Sequence, residues 1–580
     1  MRREWKTWAL IGLLVAFFGV FLFWPLANVF SSALWRPTGL TLYWIRSTLD
    51  PDNAFIRASL TNALAFAILT TLVCTALSLP LAYLQARTEF PGKRLFGASI
   101  LVPMILPPFV GAIGLKQILG PYGVVNAVLG ALSLSDPVRP VDWFLAYPFV
   151  GIVLLQSLHL YPILYLNLVA GMANVDPSLE DAARSVGAGP WRVFRKVTFP
   201  LTLPTYFAGA VIVFIWALTD LGTPLMFNLR EVMAVQIFEQ VSRPSNPEAN
   251  ALVVVLLVMV GLLYWGARSL FGRQAFGMMS VATRAAAPTR LRPGAAAVAV
   301  LLFGGVTLIA LLPHLSVILY SLKTEWHSTV LPAGLTLEHH RAILTDPRWA
   351  KLTLPSIWNS IVYSLGAVAI TLVMSVWIGY VLVRKQFIGR GLLDAMVMLP
   401  LALPGIVLAF GYLNCYADWG DWLVKKGVLA QNYLYPQTNP VFLLVVAYAV
   451  RRLPFMVRSA VAGFQQTSRT LEEAALSVGA GPVRTLWRIT VPLILANLAA
   501  GTLLVFSMSM LEVSDSLILA QDDAYNPITR TIYRIFSNEY AITNETVAAA
   551  LGTWAMVFMA VTLVGASLLM GKRLGAMFRA

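Results

Sequence analysis

The residues EDAARSVGAGPWRVFRKVTFP (180–200) and EEAALSVGAGPVRTLWRITVP (472–492) are two copies of one segment in a chain of 580 residues. The copies lie 292 positions apart and align without a gap. Each copy combines carboxylates, glycines, a proline and basic residues, a composition that buried cores do not have. The duplication predicts that the fold itself is an internal repeat.

The composition excludes an ordinary soluble domain. Hydrophobic residues make up 58% of the chain and charged residues 12%, whereas soluble proteins carry about 25% charged residues. The first apolar run, Trp8–Phe30, is too long for a signal peptide and is predicted to be retained. We predict an all-α polytopic membrane protein with twelve transmembrane spans. They are residues 8–30, 59–86, 96–116, 146–172, 201–226, 249–270, 295–321, 357–383, 393–413, 439–463, 493–517 and 545–570.

The similarity between the two halves extends beyond the duplicated segment. LVPMILPPFV (101–110) aligns with MLPLALPGIV (398–407) at an offset of 297, and Asn62 aligns with Asn359 at the same offset. Six spans are therefore followed by six similar spans in the same orientation. The predicted units are a first repeat, a basic cytoplasmic linker rich in small residues, and a second repeat. Their bounds are 1–271, 272–294 and 295–580.

The formal net charge of +15 is interpreted as membrane topology. Most of the Lys and Arg residues fall in cytoplasmic segments if both termini are cytoplasmic, in agreement with the positive-inside rule. This count places Arg451 and Arg452 near the inner end of the tenth span. Nucleic-acid binding is not predicted, because no soluble basic domain is present. Cys74 and Cys415 are too few for a disulfide framework or a tetrahedral zinc site, and no metal site is predicted.

Each copy of the segment is predicted to form a helix, a turn and a second helix on the cytoplasmic side; we call 180–200 the first elbow and 472–492 the second elbow. Ser178 and Asp181 fit a capping box that begins the first helix. Gly187 suits a left-handed helix end, Pro190 a new first turn, and Pro200 the start of the next span. The matching residues of the second elbow are Thr470, Glu473, Gly479, Pro482 and Pro492.

Two simpler interpretations of the elbows remain open. The carboxylates could be helix caps alone, and the basic residues could reflect topology alone. A DNA-reading helix-turn-helix is excluded, because the membrane holds both ends of the segment. In the first elbow, Trp191, Phe194 and Val197 predict an apolar stripe on the second helix.

The elbows resemble the inner-membrane permeases of bacterial ABC importers of the maltose/molybdate type, called type I. That family has Glu-Ala-Ala, three residues, Gly, nine residues, and Ile-x-Leu-Pro. The second elbow has Glu473, Ala474, Ala475, Gly479, Ile489, Val491 and Pro492 at these positions. The first elbow has Asp181, Ala182, Ala183, Gly187, Val197, Phe199 and Pro200, so Asp replaces Glu.

This resemblance implies the partners and the localisation. In the family, the short helix of the elbow sits in a cleft of an ATPase subunit and couples nucleotide binding to the gate. We therefore expect two copies of an ABC ATPase, a periplasmic solute-binding protein and a location in the bacterial inner membrane. The chain lacks the phosphate-binding pattern G-x-x-x-x-G-K-[ST], so it is not predicted to be an enzyme and needs no cofactor itself. ATP and magnesium belong to the partner.

Intramembrane carboxylates suggest where a substrate passes. Asp220 and Glu512 align at an offset of 292, toward the outer ends of the fifth and eleventh spans, with Asp515 one turn beyond Glu512. Acidic residues inside spans are costly and usually face a cavity. We predict that Asp220 and Glu512 face each other across the repeat axis and favour a cation. The alternative is that both carboxylates accept backbone hydrogen bonds at helix ends.

The substrate itself is left open between several candidates. Fused permeases of this length with LPxxLP in the third and ninth spans resemble the ferric-iron branch most. Thiamine, 2-aminoethylphosphonate and polyamine permeases are alternatives, and a twelve-helix secondary transporter is a further one. Arg451 and Arg452 could instead bind a phosphonate or ferric phosphate, or extend toward the inner headgroups.

The outer side is predicted to receive the binding protein. PITRTIYRIF (527–536) places Ile528, Ile532 and Ile535 on one face, which predicts an amphipathic helix there. Long outer loops are available at 31–58, 322–356 and 518–544.

Overall fold

The computed structural model describes residues 4–36, 39–105, 107–134, 139–240, 247–275, 288–432, 434–436, 438–537 and 543–570. Helical segments occupy all twelve predicted spans, and each keeps the number of its span below. The first six are Glu4–Phe18 with Gly19–Phe23 and Trp24–Leu34, Ala54–Arg87, Lys93–Ser99 with Val102–Ile105 and Pro108–Leu119, Pro148–Ala173, Phe199–Thr219, and Pro247–Ala275. The last six are Pro293–Leu322, Pro347–Arg384, Arg390–Ala402 with Gly405–Lys425, Val441–Gln466, Leu495–Met510, and Thr543–Met570.

Length and apolar composition qualify most of these helices as membrane spans. Among the described residues, eight helices are long and apolar enough to cross a membrane, or ten if each of two bent helix pairs is one span. The bent pairs are those at spans 9 and 11, with bends of 100° and 76°. Span 6 has a shorter apolar stretch, Pro247–Leu263, and span 10 carries Arg451, Arg452 and Arg458 in its interior.

Short elements connect the spans. The short helices are Tyr43–Thr48, Val124–Ala131, Trp143–Ala146, Pro177–Ser185, Pro190–Val193, Phe194–Thr198, Gly222–Met226, Met233–Glu239, Glu338–Thr345, Arg469–Ser477, Pro482–Thr485, Leu486–Thr490, Val491–Leu493, Ser514–Leu519, Asp523–Tyr525 and Ile528–Ser537. Strand Trp35–Arg36 pairs antiparallel with Gly39–Leu40. Strand Thr88–Glu89, which follows span 2, pairs parallel with Thr289–Arg290.

The first helix of each half packs on both halves. Span 1 packs on span 9 as well as on span 6 of its own half, and span 7 packs on span 3 as well as on span 12 of its own half. The π-helical turn Gly19–Phe23 interrupts the regular hydrogen bonding of span 1. Carbonyls of this turn accept hydrogen bonds from span 9, from Tyr412 to Phe21 at 2.6 Å and from Tyr416 to Val20 at 2.7 Å. One continuous hydrophobic core runs through both halves.

Equivalent residues of the two halves make equivalent contacts. Asn62 donates a hydrogen bond to the carbonyl of Glu231 at 2.8 Å, and Asn359 donates one to the carbonyl of Ala524 at 2.8 Å. Both acceptors lie in the segment that follows the fifth helix of their own half. Most of the predicted linker 272–294 lies outside the described residues, between Ala275 and the strand Thr289–Arg290.

The predicted amphipathic helix is confirmed. The helix Ile528–Ser537 covers it, and Ile528, Ile532 and Ile535 are all buried. The apolar face therefore packs on the helical bundle.

Candidate coupling segments and central cavity

Both elbows begin earlier than predicted. The first helix of the first elbow is Pro177–Ser185, capped by Asp176, whose carboxylate accepts the Ser178 amide at 2.9 Å. The matching helix is Arg469–Ser477, capped by Ser468. The capping boxes predicted at Ser178 and Thr470 were wrong, because another good cap residue stands two positions earlier in each copy.

The turn of each elbow has the predicted glycine geometry. Gly187 and Gly479 have φ angles of +81° and +85°, in the left-handed region that disfavours side chains. A Cβ on either glycine would meet no atom within 4 Å, so the backbone rather than packing requires glycine. Pro190 and Pro482 then occupy the first turn of the second helix, as predicted. A five-residue π-helical turn joins this helix to the next span in both copies.

The elbows present apolar and acidic side chains to the outside. Val186 and Val478 are 84% and 86% exposed, and Trp191 is 71% exposed. Trp191 nevertheless stacks on Phe194 of the predicted stripe, with ring centroids 5.5 Å apart, while Val193 is the buried residue of that turn. The alanines before the turn differ in exposure: Ala182 and Ala474 are exposed, Ala183 is half-buried and Ala475 is buried.

The family carboxylates of the two elbows have different surroundings. Asp181 is exposed and pairs with Arg184 at 3.0 Å. Glu473 is exposed too, but Leu476 stands where the first elbow has Arg184. Asp181 is therefore partly neutralised by its own helix, and Glu473 has no such neighbour at that position.

A second pair of carboxylates points inward. Glu180, the residue before Asp181, is buried and accepts Arg87 at 2.7 Å and the Thr198 hydroxyl at 2.7 Å, both on Oε1. We call Arg87, Glu180 and Thr198 the first clamp. It joins the last residue of span 2, the first helix of the elbow and the last residue of the π-helical turn.

The second half contains the same arrangement. Glu472 accepts Arg384 at 2.9 Å and the Thr490 hydroxyl at 3.2 Å. These residues form the second clamp, and Arg384 also donates to the carbonyl of Thr467 at 2.9 Å. The sequence reasoning missed both clamps. The signal was present, since all three residue types recur at the offsets of the repeat, 297 for the arginines and 292 for the others.

The predicted path residues meet at a cavity between the two halves. Its volume is about 380 Å³, and Asp220, Glu512, Arg451 and Arg452 all line it. Asp515 lies behind this wall and is fully buried. Apolar side chains from spans 3, 4, 5, 9, 10 and 11 form most of the remaining surface.

The wall contributed by the second half is a network of ion pairs. Nη1 of Arg451 lies 2.5 Å from Oε1 of Glu512 and 3.1 Å from Oδ2 of Asp515. Arg452 pairs with the other oxygen of Glu512 and donates to the carbonyl of Met508 at 3.2 Å. The assignment of both arginines to the inner end of span 10 was therefore wrong, because each pairs with a buried carboxylate of another element. Each arginine of this wall is thus paired with a carboxylate of the same half.

The wall contributed by the first half is simpler. Asp220 accepts Gln156 at 3.0 Å on one oxygen and the amide of Gly222 at 3.1 Å on the other. Asp220 therefore accepts a backbone hydrogen bond at a helix end and also faces the cavity. These two roles were the alternatives predicted from the sequence. His159, the repeat equivalent of Arg451, lies 3.1 Å through Nδ1 from the carbonyl of Pro103.

Two parallel sets of helical spans, a cavity between them and an elbow in each half define a membrane permease. Residues 76–280 and 295–574 each match the family of binding-protein-dependent transport system inner membrane components. The chain belongs to this family. It is thus the permease subunit of a binding-protein-dependent ABC importer, a multi-pass protein of the inner membrane.

Similar proteins carry more specific names. The ferric transport system permease protein FbpB of Actinobacillus pleuropneumoniae is 26% identical over 85% of this chain and 67% of its own length. The molybdenum transport system permease protein ModB of Escherichia coli K12 is 30% identical over 32% of this chain and 82% of its own length. A solved bacterial ABC transporter that imports the polysaccharide alginate is 18% identical, covers 49% of this chain and 99% of its own, and superimposes with a TM-score of 0.38.

Proposed function

We propose that this permease imports ferric iron, delivered by a periplasmic binding protein and driven by a separate ATPase. The main support for ferric iron as the substrate is the similarity to a ferric transport permease over 85% of the chain. The cavity supports it. Arg451 and Arg452 are paired with Glu512 and Asp515, and Asp220 adds a further carboxylate whose hydrogen-bond partners, Gln156 and Gly222, are neutral.

The exposed faces of the elbows support two ATPase copies. Each elbow combines a carboxylate, Asp181 or Glu473, with a valine at the turn that is more than four-fifths exposed. Exposed apolar residues rimmed by charge are typical of protein interfaces. Because the two elbows are alike, each receives one copy of the same ATPase, which supplies ATP and magnesium. The units 1–271 and 295–580 then each carry one docking place, with both termini on the cytoplasmic side.

Reconstitution tests this function directly. The chain is reconstituted in liposomes with its ATPase and its binding protein, and ATP-dependent uptake of ferric iron is measured. We expect ferric uptake that requires all three components. Uptake of thiamine, 2-aminoethylphosphonate or a polyamine instead would replace the proposed substrate. Uptake that continues without the ATPase would replace the importer by a secondary transporter.

A single substitution tests whether the cavity carries the substrate. The double neutralisation of Asp220 and Glu512 is a poor test, because Glu512 also holds Arg451 and Arg452. Asp220→Asn alone keeps the shape of the side chain and removes the one carboxylate of the cavity wall whose hydrogen-bond partners are neutral. We expect slower ferric uptake with unchanged stimulation of ATP hydrolysis by the binding protein, and faster uptake would point to an anionic substrate.

A further inference from the structure

The two clamps are placed between the outward face of each elbow and the membrane helices. Glu180 is 4% exposed, whereas the next residue, Asp181, has a side chain that is 69% exposed. Adjacent residues of one short helix therefore point to opposite sides. One faces a docking partner and the other faces the body of the permease.

We propose that the clamps transmit movement of the elbows to the helices and so determine how much transport each hydrolysed ATP yields. This inference rests on the proposed docking of the ATPase to the elbows. Arg87, Glu180 and Thr198 act in the first half, and Arg384, Glu472 and Thr490 in the second. They are positioning residues and touch neither substrate nor nucleotide.

The geometry makes each clamp a three-way joint. One oxygen of Glu180 accepts both Arg87 and Thr198, and one oxygen of Glu472 accepts both Arg384 and Thr490. A shift of the elbow helix relative to the end of the second or eighth span would therefore separate Arg87 or Arg384 from its carboxylate, in a buried site in the first half and a largely buried one in the second. An unpaired buried charge is strongly unfavourable, so the three elements move together.

The π-helical turns are the segments that the clamps displace when the elbows move. Thr198 and Thr490 are the last residues of the turns Phe194–Thr198 and Leu486–Thr490. Such turns are rare and are frequent at functional sites, because their wider hydrogen-bonding pattern is less stable than an α-helix. Each threonine thus connects the elbow to an irregular turn just before the helix that leads to the cavity wall.

The test uses the second clamp in the complete reconstituted transporter. Glu472→Gln removes the charge, Thr490→Val removes the hydroxyl at constant shape, and Arg384→Met with Glu472→Leu replaces the pair by apolar groups. Three quantities are measured for each: copurification of the ATPase, ATP hydrolysis stimulated by the binding protein, and uptake. The ratio of ATP hydrolysed to ferric iron transported is the decisive readout, since a purely structural defect would lower both together.

We expect Glu472→Gln to keep the ATPase bound and to raise the ratio of ATP hydrolysed to iron transported about tenfold. Thr490→Val should raise it about twofold, because one hydrogen bond is lost and the ion pair remains. The apolar pair leaves no unpaired charge and should fold even if Glu472→Gln does not. Its ratio should be raised as much as that of Glu472→Gln.

A matched control lies in the same half. Asp394 and Arg458 form an ion pair at 3.4 Å that is about half exposed and involves no elbow residue. Asp394→Asn should leave the ratio unchanged. A normal ratio in the apolar pair and in Thr490→Val, with the ATPase still bound, would overturn the role of the clamps. If the wild-type chain fails to bind the ATPase at all, the proposed function fails instead.

Discussion

The elbows and the cavity have diverged to very different degrees, although both derive from the same duplication. At the elbows, Glu180 and Glu472 each accept one arginine and one threonine, and Gly187 and Gly479 have the same left-handed backbone. At the cavity, matched positions carry different chemistry. His159, Asp220 and Thr223 in the first half correspond to Arg451, Glu512 and Asp515 in the second.

The difference follows from what each region contacts. Two identical copies of one ATPase require two alike docking places, so the proposed function constrains both elbows equally. The cavity is single and lies between the halves, so its two walls face one shared space and each can take a separate role. Here the second half supplies a closed network of ion pairs, and the first half supplies one carboxylate with neutral partners.

Removing Glu512 from the second-half wall of the cavity should have the largest effect on stability. Glu512→Leu leaves Arg451 and Arg452 without their shared carboxylate inside the protein, which costs about 3–5 kcal/mol. We expect little folded protein, measured as yield in detergent and by thermal unfolding. Asp220→Asn at the matched position is the control and should cost about 1 kcal/mol. Equal losses in both variants would show that the two walls are energetically alike.

Charge reversal at the elbows should abolish transport without unfolding the chain. Glu473→Lys is expected to reduce uptake below about a tenth of wild type, the usual scale of strong coupling between sites. Asp181→Lys should reduce it less, because Arg184 already neutralises part of the carboxylate. Uptake assays on both variants, with yield in detergent and thermal unfolding as the folding controls, compare the two elbows. A larger defect in Asp181→Lys would reverse their predicted order.

Substitution of the turn glycines measures how alike the elbows are in stability. Gly187→Ala and Gly479→Ala each place a side chain at positive φ, which costs about 1–2 kcal/mol. Neither Cβ meets a neighbour, so the two costs should be equal. Hydrogen exchange of the elbow amides measures them. Amide exchange that accelerates in only one elbow would show that the two elbows differ in stability.

The helix caps should show the smallest difference between the elbows, and it should appear only in acid. The Ser178 amide lowers the pKa of Asp176, so this cap is intact at neutral pH and is lost as the pH falls through that lowered pKa. Ser468 does not titrate, and Ser468→Ala should cost about 1 kcal/mol at any pH. Hydrogen exchange followed from neutral pH into acid separates the two caps, and equal acid sensitivity would contradict this assignment.

Features that depend on neighbours in the sequence were predictable. The left-handed glycines, Pro190 and Pro482, and the buried face of Ile528, Ile532 and Ile535 all follow from local backbone and periodicity rules. The predicted cap positions were two residues too late in both elbows, because several cap-type residues stand close together and only the folded turn selects one.

Features that depend on distant partners were not predictable in the same way. Arg87 lies 93 positions from Glu180, and Arg451 lies 61 positions from Glu512. Single residues give no signal of such pairs, so Arg451 was interpreted by its place along span 10 alone. Only the recurrence of Arg87 and Arg384 at the repeat offset could have pointed to the clamps.

The contact between Gly405 and Arg451 limits the order in which this cavity wall can change during evolution. A Cβ on Gly405 would lie 2.8 Å from Nη2 of Arg451, and the guanidinium cannot retreat without releasing Glu512 and Asp515. Any mutational route that gives position 405 a side chain must therefore shorten Arg451 first. The first half has Pro108 and His159 at the matched positions. Its two wall positions can therefore be substituted one at a time in either order.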